Sequence, residues 1–545
     1  MPDRSPGPIW VGETTHHRAA GSAPAPDLRV PARFAAARLL VTDCGVPVGQ
    51  VDVPLRDGHA TAQEVARAAA AVAGDAPPAL PPTSGEPVTV VVATRGRPDS
   101  VRRCVRAILA GDHPAVTVLV VDNDPRDDRT RAAVEAVADT RVRYVREPRR
   151  GASVGRNRGL HEARTGIVAF TDDDTEPDPR WASRIAGAFA ADPQLTGLSG
   201  PVLAARLDTP QERAADVALA WNKGFVPRRF RLDDPPSDTP VFPFSPGLFG
   251  IGANLAVRAG PVRALGGFDE ALGPGRPTRG GEDIELLVRI VLAGGTLGYL
   301  PAAYVWHHHR PSDEELRDQL AGYALGLGAF LGKVAMDPRA RRLAMRRFPA
   351  GIARLREIVR RESAGRPGEG APRSASGAGS RRAPVGGGVP VDPPVGGPGA
   401  QPVDPEVGGP GAQPVDPPVG APCPLRSVDP PVGPGSRVLP ADRAVSGVPV
   451  PGGGPGGAAP AAIVPAEAGP GRPAGEPGGD AAGAAAEVPV GPARRHDETV
   501  ALPGGAARRK LRGLVSGPAL YLRTRRQVRD EGGVSPPLTG GPPVR

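Results

Sequence analysis

The sequence predicts an α/β fold in which a mixed, mostly parallel sheet is flanked by helices. Three short apolar runs, 88–93, 116–121 and 166–170, have the length and residue types of buried parallel strands. Helical patterns separate these runs, and such alternation implies parallel strands joined by right-handed crossovers. Ligands in open α/β sheets bind at the carboxyl ends of strands, so a site is expected there.

Composition predicts that a large part of the chain forms no core. Glycine contributes 74 and proline 70 of the 545 residues, about a quarter, which implies a sizeable disordered region. The formal net charge is +9, and arginine supplies nearly all of the positive charge. This charge favours phosphate or anionic-lipid partners only weakly. Three widely separated cysteines suit a reducing cytoplasm rather than disulfides or a zinc site. We expect neither a signal peptide nor a membrane-spanning helix.

Changes in composition divide the chain into seven predicted parts. A disordered lead precedes a small β-β-α module, whose helix begins with a capping box at Thr61 and Glu64. This module is too small to bury much core alone, so we expect it to pack on the following residues. The parts are the lead (1–30), the module (31–75), a linker (76–87), the α/β core (88–310), C-terminal helices (311–362), a disordered Pro/Gly/Ala-rich spacer with 12-residue repeats (363–490) and a basic tail with a short helix (491–545).

Acidic residues follow two of the predicted strands. Asp122 closes one strand, and Asp172, Asp173 and Asp174 close another. Both groups should therefore lie at the same edge of the sheet. Three adjacent carboxylates repel one another unless a cation joins them, and a hard divalent ion that bridges to a diphosphate would do so. A solvated acidic turn is the simpler interpretation of one triplet, but the second acidic strand end favours a ligand site.

Three further segments have both a structural and a functional interpretation. The Gly/Arg loop 149–159 is either a surface turn or an anion site at a helix N-terminus, where Arg156 adds a charged fork. The glycine-rich run 247–254 is either a bulged core strand or a close backbone approach to a ligand. Glu282 and Asp283 open a helix, where the dipole alone favours acids.

A run of three histidines ends another predicted strand and suits contact with a metal or a phosphate. Alternate residues of an extended chain point to the same side. His307 and His309 can therefore share a site, whereas His308 points away from it.

Taken together, these segments resemble glycosyltransferase family 2. The strand-turn 92–95, the acid Asp122, the loop 151–159 and the segment 170–174 follow one another in the order and spacing of that family. The match covers roughly residues 88–310. The resemblance implies the GT-A fold, which is a Rossmann-like mixed sheet, and an inverting transfer of a sugar from a nucleotide-sugar.

The resemblance also implies roles for individual residues. Nucleotide-sugar contacts are implied for Thr94, Arg95, Asp122, Asp124, Arg156, Asn157, Asp172 and Asp173. A divalent ion, Mn²⁺ or Mg²⁺, is implied at Asp174, Asp172 and His307, with His309 as the alternative histidine and with the choice among the three aspartates left open. Acceptor contacts are implied for Gly252, Asn254 and Glu282, and the catalytic pair would be Asp283 as general base with Glu282 as its orienting partner.

The chemistry explains why such groups are needed. A hydroxyl acceptor is a weak nucleophile, and a carboxylate that takes its proton during attack is the general-base solution. A one-step displacement needs one base and no covalent nucleophile, which accounts for inversion. A divalent ion neutralises charge on the departing nucleoside diphosphate.

The C-terminal third contains two arginine-rich parts on either side of the spacer. Residues 312–334 and 338–362 are predicted helices that cover the core, with contact to an anionic membrane as the alternative. Residues 508–529 regain a helical pattern that Gly517 and Pro518 would break or kink. This tail either docks on those helices or touches lipid headgroups or another anionic partner.

The leading prediction is a metal-assisted hexosyl- or deoxyhexosyltransferase that acts on a glycan, a lipid-linked precursor or a small molecule with a hydroxyl group. We expect it in the cytoplasm, with peripheral contact to the inner face of the membrane as an option and no nucleic-acid partner. Two other classes stay open. A nucleotidyltransferase that makes nucleotide-sugars would release pyrophosphate, and a non-catalytic polyanion- or membrane-binding protein would still bind after Asp283→Asn.

Overall fold

A computed structural model describes most of the chain apart from the spacer. The predicted spacer lies outside the described residues, as do parts of the predicted lead, linker, C-terminal helices and basic tail. The described ranges are 7–16, 27–74, 80–245, 247–309, 312–347, 349 and 506–540, and all of them belong to one compact unit.

Strands and short helices alternate through most of the described chain. The strands are β1 (Ile9–Thr15), β2 (Leu28–Arg29), β3 (Ala36–Asp43), β4 (Val46–Pro54), β5 (His59–Ala60), β6 (Val88–Thr94), β7 (Val116–Asn123), β8 (Val142–Glu147), β9 (Ile167–Asp172), β10 (Thr175–Pro177), β11 (Leu195–Ser199), β12 (Val202–Ala204), β13 (Arg228–Phe230), β14 (Asn254–Arg258), β15 (Thr296–Tyr299) and β16 (Val305–His307). The helices are α1 (Ala62–Val72), α2 (Pro98–Leu109), α3 (Arg129–Glu135), α4 (Ala152–Glu162), α5 (Trp181–Ala191), α6 (Pro210–Leu219), α7 (Ala259–Ala264), α8 (Glu282–Leu292), α9 (Asp313–Met336) and α10 (Ala506–Asp530), and residues 338–347 are helical as well.

An eight-stranded mixed sheet forms the centre, with the strand order β13-β15-β11-β14-β9-β6-β7-β8. The neighbours β9, β6, β7 and β8 are parallel, and so are β11 and β15. By contrast, β13 and β14 run antiparallel to the strands beside them. The predicted mixed, mostly parallel α/β sheet is therefore confirmed.

The central strands are buried on both faces. In β6, Val91 packs in one apolar cluster, whereas Val90 and Val92 pack in another. Because successive side chains of a strand point to opposite faces, these clusters are the two layers that enclose the sheet. Burial on both sides explains why these strands are continuous apolar runs rather than alternating ones.

The N-terminal region contains a strand where the sequence predicted a disordered lead. Strand β1 pairs in parallel with β3, and β4 completes a sheet with the order β1-β3-β4. The prediction was wrong because the partners of β1 are distant in sequence. Ile9 donates its backbone N–H to Leu207 at 3.1 Å, and Val11 packs against Leu207 and Ala204.

The module that contains α1 packs on the α/β core, as its small size predicted. The helix begins with the predicted capping box, in which the Thr61 side chain accepts from the backbone N–H of Glu64. Arg38 donates to a carboxylate of α6 at 2.6 Å, and Tyr304 donates its hydroxyl hydrogen at 2.8 Å to Glu13 of β1, the strand that pairs with β3 of the module. Polar contacts of this kind tie the module to the core.

The basic tail forms a 25-residue helix, α10, that packs along α9. Small residues make the contact: Gly328 and Gly332 of α9 face Gly513, Gly517 and Pro518 of α10. A Cβ atom on Gly517 would lie 2.4 Å from the carbonyl carbon of Gly328, so the two backbones touch. Of the predicted break or kink at Gly517 and Pro518, the break is not found, because the helix continues through Pro518, which lies against Gly332; the kink stays a prediction. The tail thus docks on the C-terminal helices.

The outward side of α10 is exposed and carries Arg512, Val515, Leu522, Arg523 and Arg526. The predicted contact with an anionic surface stays a prediction. Within the described part of the chain, every helix is too short or too polar to cross a bilayer. Residues 506–540, which include α10, are called the C-terminal segment below.

Docking of the C-terminal segment makes a testable prediction about stability. Leu538 is 1 % exposed and shares an apolar cluster with Leu286 and Leu287 of α8. We expect Leu538→Ala to lower the free energy of unfolding by about 2–4 kcal/mol, because it leaves a cavity. Leu522→Ala, at a side chain 43 % exposed, should cost less than about 0.5 kcal/mol. Equal stability of the two variants in urea denaturation would contradict the docking.

Candidate active site

The carboxyl ends of β6, β7 and β9 meet at one edge of the sheet. Residue pairing aligns Thr94 of β6 with Asp122 of β7, and Ala93 of β6 with Asp172 of β9. The antiparallel pair of β10 and β16 then brings His307 opposite Thr175, one residue beyond the aspartate triplet. Segments that are distant in sequence therefore converge at one place.

The three carboxylates of the triplet are held in different ways. Asp173 accepts from the Thr94 hydroxyl at 2.6 Å and from Arg97 at 2.9 Å, and it is only 6 % exposed. Asp174 accepts from Arg97 at 2.8 Å and faces Nε2 of His307 at 3.1 Å. Asp172 is more open, since its side chain is 37 % exposed. Asp172 and Asp174 thus face a common space, whereas Asp173 is enclosed by its protein partners.

Electrostatics separates the two neighbours Asp173 and Asp174. Burial and the adjacent Asp174 raise the pKa of Asp173 to about 6. Burial opposes ionisation of Asp174 too, but His307 and Arg97 hold the pKa of Asp174 well below its usual range. Asp174 is therefore the better anionic ligand of the two.

The residues present fit a divalent cation. Asp172, Asp174 and His307 each offer one ligand atom, and these atoms lie within 4.8 Å of one another. Two carboxylate oxygens and one imidazole nitrogen suit Mn²⁺, and the oxygens alone also suit Mg²⁺. Sequence reasoning left the choice among the three aspartates open, and the structure brings together the outer two rather than Asp173.

The three histidines have different surroundings. His307 packs edge-on against Trp221 with ring centroids 4.6 Å apart. His308 lies 2.6 Å from a carboxylate oxygen of Glu176, which agrees with the expectation that it points away from the other two histidines. His309 also packs near Trp221, and its ring nitrogens have no hydrogen-bond partner among the described residues. His307 is therefore the histidine beside the aspartate triplet, whereas Nε2 of His309 lies 3.7 Å from a carboxylate oxygen of Asp216.

Arg156 of α4 links the triplet to the first turn of α8. It is 6 % exposed and donates to Asp172 at 2.9 Å and to Glu282 at 2.8 Å. Burial and the adjacent Asp283 raise the pKa of Glu282 to about 7, against the opposing effect of Arg156. The donor-side and acceptor-side acids of the prediction therefore lie in one connected group.

Backbone groups position Asp283 at the N-terminus of α8. Its Oδ2 accepts from the N–H of Gly252 at 3.0 Å, and its Oδ1 accepts from the N–H of Ile284 at 2.8 Å. A Cβ atom on Gly252 would lie 3.1 Å from Arg156, so a side chain there would crowd that guanidinium. Glycine is thus used where the backbone must approach both Asp283 and Arg156.

Asp122 lies at the far side of the same sheet edge. It is 1 % exposed and accepts from the hydroxyl of Tyr144 on β8 at 2.9 Å. Burial raises the pKa of Asp122, although Tyr144 opposes this effect, and Oδ1 has no partner among the described residues. Arg95 pairs with Asp124 at 2.6 Å nearby, and both side chains are about one-third exposed.

Two predicted site residues have side-chain amides whose hydrogen bonds go to other parts of the protein. Asn157 donates to the backbone oxygen of Phe268 at 2.9 Å and accepts from the N–H of the same residue at 2.7 Å, so it fixes the turn that follows α7. Asn254 accepts from the indole N–H of Trp181 at 2.9 Å and donates to the backbone oxygens of Pro201 and Ala303. Their predicted roles in nucleotide and acceptor binding stay predictions beside this engagement of both amides.

We therefore expect a substitution of Asn254 to lower the stability of the protein rather than its catalytic rate. Asn254→Ala would leave the buried indole N–H of Trp181 and the carbonyl oxygen of Ala303 without this amide, whereas the carbonyl of Pro201 would keep the N–H of Val305, so we expect a loss of about 3 kcal/mol in the free energy of unfolding. Thermal unfolding checks this, with the exposed Gln63→Ala in α1 as control. A variant of normal stability with a raised KM for the acceptor would instead support the binding role.

Sequence reasoning missed Arg97, Tyr144 and Trp221. Arg97 comes shortly after the end of β6, just before α2. Its position near that strand end could have identified it as a residue of the site. Tyr144 faces Asp122 only because β8 pairs with β7, and Trp221 reaches His307 only through tertiary packing. The last two positions carry no local signal.

Comparison with known proteins gives consistent matches. The model of Glycosyl transferase family 2 matches residues 89–251. The chain is 31 % identical over 257 residues to the pre-mycofactocin glycosyltransferase of Mycobacterium tuberculosis. This alignment covers 46 % of this chain and 48 % of that protein. It is 33 % identical over 274 residues to the succinoglycan biosynthesis protein ExoO of Rhizobium meliloti. That alignment covers 48 % of this chain and 72 % of ExoO.

These matches differ in extent. The chain spans about half the length of the pre-mycofactocin glycosyltransferase, since the alignment covers 48 % of it. Among solved structures, the mannosyltransferase PcManGT from Pyrobaculum calidifontis, in complex with GDP-Man and Mn²⁺, aligns with a TM-score of 0.35. That alignment has 20 % identity and covers 52 % of this chain and 82 % of the other.

Proposed function

Because the chain belongs to glycosyl transferase family 2, we propose that it transfers a sugar from a nucleoside diphosphate sugar to a hydroxyl acceptor, with inversion. The observation that carries the proposal is the buried Arg156, which bonds both Asp172 and Glu282. This one side chain connects the strand-end carboxylates to the first turn of α8. An electrophile held at the strand ends would therefore lie beside a base on that helix.

The nucleotide-sugar would bind along the carboxyl ends of β6, β7 and β9. Oδ1 of Asp122, which has no hydrogen-bond partner within the described ranges, suits an N–H donor of a nucleobase. Asp172, Asp174 and His307 would hold Mn²⁺ or Mg²⁺. When bound, such an ion offsets the negative charge that grows on the diphosphate as the glycosidic bond breaks. Arg156 adds a fixed positive charge on the same side.

Asp283 would act as the general base. The N–H groups of Gly252 and Ile284 fix its carboxylate, which keeps lone pairs free to accept a proton. The acceptor oxygen would bond to the anomeric carbon while the bond from that carbon to the diphosphate oxygen breaks, and the hydroxyl proton would pass to Asp283. Attack opposite the leaving group inverts the anomeric centre without a covalent intermediate. Glu282, paired with Arg156, would orient the site.

A donor screen tests this function. Purified full-length protein with Mn²⁺ and a panel of nucleoside diphosphate sugars should release a nucleoside diphosphate from one donor, and EDTA should stop the release. Because the similar proteins are named for pre-mycofactocin and for succinoglycan, the acceptor panel should contain both small molecules and glycans. Release of pyrophosphate instead would favour the nucleotidyltransferase alternative.

A further inference from the structure

A buried cluster of charges lies behind the first turn of α8. Lys333 of α9 donates to Asp269 and to Glu285, both at 2.7 Å, and Arg289 pairs with Glu285 at 2.8 Å. From the C-terminal segment, Tyr521 donates its hydroxyl hydrogen to the same oxygen of Asp269 at 2.8 Å. All five side chains are at most 4 % exposed, so each charge depends on its partners.

The loop that leads into α8 is tied to the same segment. Arg276 is 7 % exposed and pairs with Glu531 at 2.9 Å. The loop is closed by a backbone hydrogen bond from Gly273 to Gly280 at 3.2 Å. It also lies over Glu282, because a Cβ atom on Gly273 would be 3.2 Å from the carboxyl carbon of that residue. A shift of Arg276 would therefore reach Glu282.

A third attachment joins the segment to Glu270, next to the cluster residue Asp269. The backbone N–H of Glu270 donates to the carbonyl of Val534 at 2.8 Å. Further along the segment, Leu538 packs in the apolar cluster that contains Leu286 of α8. The segment thus contacts both the loop before α8 and the buried side of the helix.

We propose that the C-terminal segment is a positioning element of the active site, in which Tyr521 and Glu531 hold α8 and its leading loop so that Asp283 faces the acceptor. This inference rests on the function proposed above. The observed hydrogen bonds and ion pairs from the segment to the rest of the described chain go to Asp269, Glu270, Arg276 and Asp337. These four positions lie outside β6, β7 and β9, so loss of the contacts should disturb the base and spare the donor site.

Two conservative variants of the full chain test the proposal by kinetics. Tyr521→Phe keeps the ring and removes the hydroxyl contacts with Asp269 and Ser535, and Glu531→Gln removes the charge of a side chain that is 35 % exposed but keeps an oxygen that can accept from Arg276. We expect kcat to fall about ten-fold in each variant, because a misplaced base loses its near-attack geometry. Affinity for nucleoside diphosphates with Mn²⁺ should stay within about two-fold. Leu522→Ala, on the exposed side of α10, should change neither quantity.

Amide hydrogen exchange gives a second readout that needs no substrate. Exchange in peptides that cover 266–292 should become faster in Tyr521→Phe and Glu531→Gln and stay the same in Leu522→Ala. Unchanged exchange with unchanged kcat in both variants would overturn the proposal, and so would an equal loss of donor affinity and kcat. If the unaltered protein turned over no donor, the proposed function would fail, whereas faster exchange in the two variants would still support the role of the segment in holding α8.

Discussion

Asp283→Asn is expected to lower kcat by about 10²–10⁴-fold while donor affinity stays within about two-fold. Asparagine keeps the shape of the side chain and its oxygen can still accept from the N–H of Gly252, but an amide does not take a proton from a hydroxyl acceptor. The donor is held at the strand ends, so a nucleoside diphosphate with Mn²⁺ should still bind. Release of nucleoside diphosphate measures kcat, and calorimetric titration measures the affinity.

The matched control is Asp99→Asn, which also changes an acid in the first turn of a helix. The side chain of Asp99 is 85 % exposed and lies in α2, so kcat should stay within about two-fold. Normal turnover by Asp283→Asn would remove Asp283 as the base. A parallel loss of donor affinity would show instead that the change disturbs Arg156 through Glu282.

Asp174→Asn is expected to weaken Mn²⁺-dependent donor binding by at least about 100-fold. Changes to residues that merely support a metal ligand typically cost 10–100-fold, so loss of a ligand carboxylate should cost no less. Asp174 lies within reach of Asp172 and His307, and His307 and Arg97 keep the pKa of Asp174 low. Titration of Mn²⁺ in the presence of a nucleoside diphosphate measures the effect.

Asp173→Asn is the matched comparison at the neighbouring position. Asp173 is engaged by Thr94 and Arg97 rather than grouped with the ligand atoms. We expect this variant to keep Mn²⁺ affinity within about five-fold and to lose about 1–3 kcal/mol of stability, because a buried ion pair is weakened. If Asp173→Asn lost metal binding and Asp174→Asn did not, the assignment of the ligands within the triplet would be reversed.

Sequence patterns predicted those parts of the protein whose structure depends on residues that are close together in the sequence. Buried parallel strands must be apolar on both faces, so β6, β7 and β9 were visible as runs, and the acids that follow them had to share an edge. The capping box of α1 was equally visible, because its two hydrogen bonds join residues three positions apart.

Other features depend on partners that are distant in sequence. Strand β1 is defined by its pairing with β3 and its packing on Leu207, so its own seven residues did not distinguish it from a disordered lead. Asn254 looked like a ligand contact because it ends a glycine-rich run, but Trp181 and two carbonyl oxygens engage its amide. The sequence alone does not indicate whether a ligand or the protein core will provide the hydrogen-bond partners of an amide side chain.

The C-terminal segment shows the same limit. Gly517 and Pro518 weaken an isolated helix, which predicted a break. Against the glycines of α9 these residues permit close contact, and packing outweighs the intrinsic preference. The arginines of the segment left docking and an anionic partner as alternatives, and it was the acid Glu531 and the hydroxyl of Tyr521, rather than the arginines, that were found in polar contacts with the core.

The central claim is that acids spread over the chain from Asp122 to Asp283 surround one cation-binding crevice. A crystal of the full-length protein soaked with Mn²⁺ and a nucleoside diphosphate, measured at the manganese absorption edge, tests this claim directly. We predict one anomalous peak bounded by Asp172, Asp174 and His307, with the diphosphate against it and the carboxylate of Asp283 facing the same space. A peak at any other group of residues, or an Asp283 carboxylate that faces away from the diphosphate, would contradict the account.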